Sequence, residues 1–150
     1  MQVVRISEPN QQLAMEIREL FAAERLEAPV PGPFELFALF DSNGRIEGAA
    51  SVEVAEDICI LRALAIRPGS RKKGLGYALV SHILFHCSGA HERMYLAARG
   101  QQVYFERFGF RIASRAEAPA AVARAILFSG CGPAGGPVMV IDLPQNAGAL

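Results

Sequence analysis

The residues with the clearest chemical meaning are Arg71, Lys72, Lys73, Gly74, Leu75 and Gly76, three adjacent cations followed by two glycines set one residue apart. They follow an apolar run over 58–66 and a breaker, Pro68-Gly69-Ser70, and they lead into apolar residues at helical spacing, Leu75, Leu79 and Ile83 with Ala78 and Leu84. This places the six where a loop enters a helix. There the first amides lack an intrahelical acceptor and carry partial positive charge, which favours an anion. Gly74 and Gly76 have no Cβ, so a bulky phosphate can reach the backbone, and the cations add longer-range attraction. The pattern suits a polyphosphate; the plainer alternative is a basic surface turn before a helix. Neither G-x-x-x-x-G-K-[ST] nor G-x-G-x-x-G is present, so the loop is not a P-loop or a dinucleotide fingerprint.

Arg62 is the one charge in the run 58–66, which is apolar on both alternating faces and so reads as a strand buried on both sides. An unpaired buried guanidinium is too costly to hold. Arg62 therefore meets either an internal carboxylate, such as Glu53, or a ligand carboxylate as a bidentate partner, and the sequence leaves both open. Glu53 lies near the end of the preceding strand, where alternation sets it with Glu47 and Ser51, a set that also suits a solvated strand face. His82 and His86 form an i, i+4 pair, but no HExxH-type glutamate accompanies them, so no metal site is expected. Cys59, Cys87 and Cys131 have no CxxC spacing, and the first two read as small core residues.

The elements that must position these residues follow from periodicity and breakers. A strand over 2–7 precedes a helix over 11–27 introduced by Pro9 and Asn10, with Leu13, Ile17, Leu20 and Phe21 as its apolar stripe. The segment 28–33, APVPGP, is a loop. Strands over 34–41 and 45–55 are joined by Ser42-Asn43-Gly44-Arg45, with Asn-Gly at the centre of a tight hairpin turn. The turn at Glu56 and Asp57 leads to the strand 58–66, and a helix over 73–88 crosses to a strand over 93–98, expected to lie parallel to it. A short helix over 101–108 closed by Gly109, a strand over 110–114, a helix from Pro119 to about Phe128 and a last strand over 138–143 complete the order.

The chain of 150 residues is long enough for one domain, 1–150, with its own core. A formal net charge of zero gives no electrostatic case for nucleic acid or membrane surfaces as partners. The hydrophobic fraction of 51% is high enough that a homodimer interface would account for part of it. No apolar run approaches the roughly 18 residues of a membrane helix, and the N-terminus is no signal peptide, so residence in the cytoplasm is expected.

R-x-x-G-x-G after a strand that ends in x-x-P resembles the acetyl-CoA-binding motif of the GCN5-related N-acetyltransferase (GNAT) superfamily. The run QQVYFERFGF over 101–110 resembles its second signature, an aromatic pair, two polar residues, an apolar residue and Gly-Phe. With the order of elements, the resemblance covers about residues 34–114. It implies an α/β fold, a central mostly antiparallel sheet with a parallel splayed pair at the acetyl-CoA site, flanked by helices. It further implies that Arg71, Lys72, Lys73, Gly74, Leu75, Gly76 and Tyr77 bind the cofactor pyrophosphate and that the backbone of Leu64, Ala65 and Ile66 receives the pantetheine arm and the thioester carbonyl. In many members the second aromatic of the pair is a tyrosine that protonates the leaving thiolate; here that position holds Phe105, read as core. Its neighbour Tyr104, about 100° away round the helix, is the candidate acid, with packing as its alternative role.

The acceptor amine arrives as an ammonium ion and needs a carboxylate or a water chain to deprotonate it. Glu53 is the first candidate, ahead of Glu56 and Asp57. The resemblance thus leaves three functions to weigh: acetylation of a small, amino-acid-like amine with Arg62 as substrate contact, acetylation of protein or peptide amines, and non-catalytic acyl-CoA binding. A finer resemblance, carried by LRALAI over 61–66, the aromatic pair without tyrosine and Cys131-Gly132-Pro133-Ala134 followed by Met139, is to a subgroup encoded in arsenic-resistance operons and regarded as amino-acid N-acetyltransferases. The glycine-rich spacing of that loop departs from the subgroup, which leaves Cys131 with a structural reading.

Overall fold

Residues 1–24, 26, 34–70, 74–114, 118–128 and 137–144 are described by a computed structural model. They fall into two compact units, Met1–Val54 with Leu61–His86, and Ala55–Ile60 with Cys87–Leu150.

In the first unit, β1 (Gln2–Ile6) pairs antiparallel with β2 (Phe34–Phe40), and β2 with β3 (Ile46–Ala55). Helix α1 (Gln11–Ala23) starts where the Asn10 side chain accepts a hydrogen bond from the Leu13 amide at 2.8 Å, which satisfies one of the orphan donors of the first turn. Its end at Ala23 falls short of the expected 27; residues 25 and 27 lie outside the described set. Ile17, Leu20 and Phe21 are buried against Ala38, Ile46, Ala49, Ala63 and Ala65, so large side chains on the helix meet small ones on the strands. Alternation along β2 sends Leu36, Ala38 and Phe40 to that cluster. Phe37 instead meets the imidazoles of His82 and His86 edge-on, at 6.3 and 5.2 Å, on α2 (Leu75–Cys87).

The β2–β3 connection departs from the tight turn expected of Asn-Gly. Only Gly44 is left-handed, with φ of 80°, and the Asp41 carboxylate accepts from the amides of Asn43 (2.8 Å) and Arg45 (2.9 Å). The loop is therefore Ser42-Asn43-Gly44 closed between Asp41 and Arg45, the three-residue hairpin in which a type I turn is followed by a left-handed glycine. A register shift between Leu39 and Phe40 accompanies it.

In the second unit, the start of β4 (Ile58–Ile66) pairs with β5 (Arg93–Ala97) in the parallel sense expected. Helix α3 (Gln102–Glu106) and β6 (Arg111–Ala113) follow, then α4 (Ala120–Phe128) and β7 (Val138–Asp142). β7 runs antiparallel to both β5 and β6 and lies between them. Ile58, Ile60, Tyr95, Val138 and Val140 pack with Val122 and Ala125 of α4 as the core of this unit. Phe105 is buried and meets the ring of Phe110 edge-on at 5.8 Å, the core role expected of it. Gly109, at φ of 103°, makes the turn between α3 and β6 in a conformation that glycine adopts without strain. The loop with Cys131 lies outside the described residues.

In the first unit the strands follow the order β1-β2-β3-β4 and in the second β4-β5-β7-β6, antiparallel but for the parallel pair β4 and β5, and helices pack on them, an α/β architecture of the expected kind.

Candidate cofactor loop and acceptor face

β4 is paired to β5 through Ile58, Cys59 and Ile60 and then continues from Leu61 to Ile66 beyond that ladder. Its burial changes at the same point. Ile58, Cys59, Ile60 and Leu61 are all buried, whereas further along Ala63 and Ala65 are buried but Arg62, Leu64 and Ile66 are half-buried. The expectation of a strand buried on both sides thus holds for its first half only. In the second half one face is an accessible row that contains Arg62, Leu64 and Ile66.

After Ile66 the chain makes a 3-10 turn, Pro68–Ser70, and enters α2 at Leu75 rather than at 73. Gly74 has φ of 76° with open space where a Cβ would stand, so the backbone conformation and not packing calls for glycine. The first intrahelical hydrogen bond joins the Ala78 amide to the Gly74 carbonyl at 3.1 Å, and the amides of Leu75 and Gly76 precede it at the positive end of the helix dipole. Gly76 sits within the first turn, and Tyr77 is largely exposed. Arg71, Lys72 and Lys73 lie outside the described residues.

The turn that delivers this loop is fastened to the start of β3. The Arg67 amide donates to the Glu47 carbonyl at 2.8 Å, and its guanidinium donates from Nε and Nη2 to the Ile46 carbonyl at 3.0 and 2.9 Å. The Ser70 hydroxyl donates to the Glu47 carboxylate, and both residues are buried, at 9% and 8% exposure. Next to them Gly48 is required by close approach, since a Cβ there would stand 2.6 Å from Ile66 Cδ1 and 3.0 Å from the Ala65 carbonyl oxygen. The reading of Glu47, Ser51 and Glu53 as a solvated face is therefore corrected: Glu47 and Ser51 are buried. Alternation assigns a side of the strand but does not say what covers it. A glutamate set between Ile46 and Gly48 in an apolar strand carried the same signal as Arg62, a charge in need of a partner.

Arg62 has an internal partner. Its Nη1 donates to Glu53 Oε1 at 2.5 Å, the two side chains being 15% and 21% exposed. The guanidinium also lies over the Phe34 ring, 5.6 Å from its centroid, and Phe34 is the cross-strand partner of Glu53. A cation and an anion are thus held in fixed orientation on three adjacent strands. Glu56 and Asp57 are exposed in the β3–β4 turn, Glu56 at φ of 56°. Asp41 is held below the ordinary aspartate range chiefly by the Arg45 amide, with help from the Asn43 amide and the Glu47 side chain, and against the opposing effect of burial.

In the second unit, the Tyr104 ring meets Phe105 and Phe108 edge-on at 5.2 and 5.4 Å. Burial pushes its phenol above the ordinary tyrosine value, with Arg107 pulling the other way. Of the other titratable groups, His86 meets Glu35 at 2.9 Å and Arg5 approaches the same carboxylate at 3.9 Å. No set of three or more His, Cys, Asp or Glu side chains is arranged for a metal among the described residues. None of the helices described is long and apolar enough to cross a membrane.

A family profile described as acetyltransferase (GNAT) domain matches residues 33–112. No curated protein matches the sequence significantly. Among solved structures, N-acetylglutamate synthase from Neisseria gonorrhoeae, complexed with coenzyme A and N-acetyl-glutamate, superposes with a TM-score of 0.75 at 19% identity over 97% of this chain. The present chain spans 36% of that protein's length. A Mycobacterium tuberculosis protein solved in complex with CoA gives a TM-score of 0.74 at 18% identity, covering 95% of this chain and 99% of its own. The ribosomal-protein-S18-alanine N-acetyltransferase of Escherichia coli gives 0.65 at 17% identity, with 99% of each chain covered. At these identities the similarity is one of fold.

Proposed function

The chain belongs to the GNAT acetyltransferase family, and from that premise we propose that it transfers the acetyl group of acetyl-CoA to the primary amine of a small, amino-acid-like acceptor, by direct attack in a ternary complex in the cytoplasm. The cofactor side rests on the β4–α2 connection. In this reading the amides of Leu75 and Gly76, with the cations of Arg71, Lys72 and Lys73, hold the pyrophosphate, Tyr77 borders it, and the backbone of Leu64, Ala65 and Ile66 lies along the pantetheine arm. A thioester carbonyl beside those amides is polarised as charge builds on its oxygen.

The observation that carries the acceptor class is the pair formed by Arg62 and Glu53 on the accessible row of β4 and β3. A zwitterionic amino acid presents the inverse pair, a carboxylate for the guanidinium and an ammonium for Glu53. Glu53 accepts the ammonium proton directly or through water, the neutral amine attacks the carbonyl carbon, and the C–S bond breaks. The attacking nitrogen loses its second proton to solvent water as the amide forms. The CoA thiolate takes a proton for which Tyr104, whose half-buried phenol stays protonated in the working range, is the donor assigned here, the phenol being reprotonated from solvent. The bound N-acetyl-glutamate of the Neisseria structure and the finer resemblance of the 61–66 strand to amino-acid acetyltransferases support the same class.

The test compares amino acids with their amides and their decarboxylated amines. Turnover confined to free carboxylates supports the proposal. Equal turnover of the amides, or of lysine peptides as expected from the likeness to a ribosomal-protein acetyltransferase, contradicts it.

A further inference from the structure

Glu47 is a carboxylate withdrawn from water at the foot of β3, outside the row that carries Glu53 and Arg62, and packing alone does not account for it. A buried charge is retained at a cost unless its hydrogen bonds are made. Its carboxylate takes the Ser70 hydroxyl, while the Ser70 amide donates to the Arg67 carbonyl at 2.8 Å. Ser70 is the residue just before Arg71, where the cationic loop begins. The other ties between this turn and β3 do not involve the Glu47 side chain. The Arg67 amide reaches the Glu47 carbonyl, and the Arg67 guanidinium reaches the Ile46 carbonyl. The turn and β3 are thus joined without the carboxylate, which also meets the Asp41 side chain at the β2–β3 hairpin and, on the side of the turn, holds the final residue before the loop.

We propose that Glu47 is a positioning residue for the cofactor: through Ser70 it fixes the end of the turn Pro68–Ser70 that precedes the cationic loop and so the affinity for acetyl-CoA. The inference rests on the reading of that loop as the pyrophosphate site. It explains why the only buried polar residues found among those described are Glu47, Ser70 and Ser51, two of them bound to each other at the loop's entry. It also separates two carboxylates of β3 by task, with Glu47 acting on the donor side and Glu53 on the acceptor side.

The experiment measures acetyl-CoA Kd by calorimetry, and KM for acetyl-CoA and for the acceptor, in the full chain and in Ser70→Ala, Glu47→Gln, Ser70→Thr and Gly76→Leu. Ser70→Ala and Glu47→Gln are expected to weaken acetyl-CoA about 10- to 100-fold, the scale of one hydrogen bond to a charged group, with the acceptor KM essentially unmoved. Ser70→Thr keeps the hydroxyl and is expected to restore the affinity. A purely structural role would lower Tm and leave acetyl-CoA Kd unchanged in Ser70→Ala and Glu47→Gln, and that result overturns the proposal. Gly76→Leu tells the two failures apart. If it alone abolishes binding, the loop reading stands and the role of Glu47 is refuted; if it too leaves binding intact, the loop reading itself fails and the inference with it.

Discussion

Replacing Gly76 with leucine separates the needs of the fold from the needs of the cofactor. Position 76 lies in the first turn of α2 with a helical backbone, so no left-handed conformation protects glycine there. In a helix interior glycine is about 1 kcal/mol less favourable than alanine, and less near an end, so Gly76→Leu should leave stability unchanged or raise it. For a chain of this size, up to about 1 kcal/mol corresponds to a Tm increase of up to about 2–4 °C. Binding should move in the opposite direction. A leucine side chain occupies the space in which a phosphate would approach the amides of Leu75 and Gly76. Two hydrogen bonds to a charged group are worth about 3–6 kcal/mol together, which is a loss of about 10²- to 10⁴-fold in acetyl-CoA affinity. Thermal melts and calorimetric titration of acetyl-CoA read the two quantities on one sample. A variant that is as stable as the parent and binds acetyl-CoA equally well would refute the placement of the pyrophosphate. A variant that loses stability and affinity together would show that Gly76 serves packing, and would refute the placement as well.

Gly74→Ala meets open space but forces φ of 76° on a side chain, and a loss of about 1 kcal/mol is expected, read as a Tm decrease that Gly74→Asn reduces because asparagine tolerates the left-handed region. Arg62→Met should raise the acceptor KM at least tenfold while acetyl-CoA KM stays level; an unchanged acceptor KM with a lower Tm would assign the pair with Glu53 to stability alone. Tyr104→Phe should reduce kcat about tenfold or more without changing either KM, as loss of a general acid does, and an unaltered kcat would mean that the thiolate leaves unassisted. Asp41 has a carboxyl held below its ordinary value, so its contribution is present above the unfolded value, near pH 4, and is withdrawn as pH falls through the lower folded one. The Tm gap between the parent and Asp41→Asn should therefore be open at pH 7 and close below about pH 4; a gap independent of pH would contradict the assignment.

Much of this architecture was readable because local signals agreed with the final packing. The run 58–66 became β4 with the expected bounds, and the helix that follows had to cross to a parallel partner, which β5 is. Arg62 showed in the sequence that a partner was required, and Glu53 meets it because both fall on the accessible side of neighbouring strands. Asn43-Gly44 located the hairpin but not its class, which depends on the Asp41 side chain gathering the Asn43 and Arg45 amides. Glu47 escaped because the register shift that sets Leu39 against Gly48 and Phe40 against Ile46 breaks the period of two at that residue, and the turn 68–70 covers it. The place of β7 between β5 and β6 was likewise invisible, since pairing between distant strands leaves no mark in local periodicity. The cofactor loop was legible in composition, and its geometry is carried by Gly74 and the start of α2.

The most direct test of the account is release of free CoA from acetyl-CoA by the purified chain across a panel of amino acids, polyamines and lysine peptides. Acceptor-dependent release is expected to be confined to compounds that carry both a primary amine and a carboxylate. Measurable acetyl-CoA binding with no release for any acceptor would contradict it and identify the chain as a binding module.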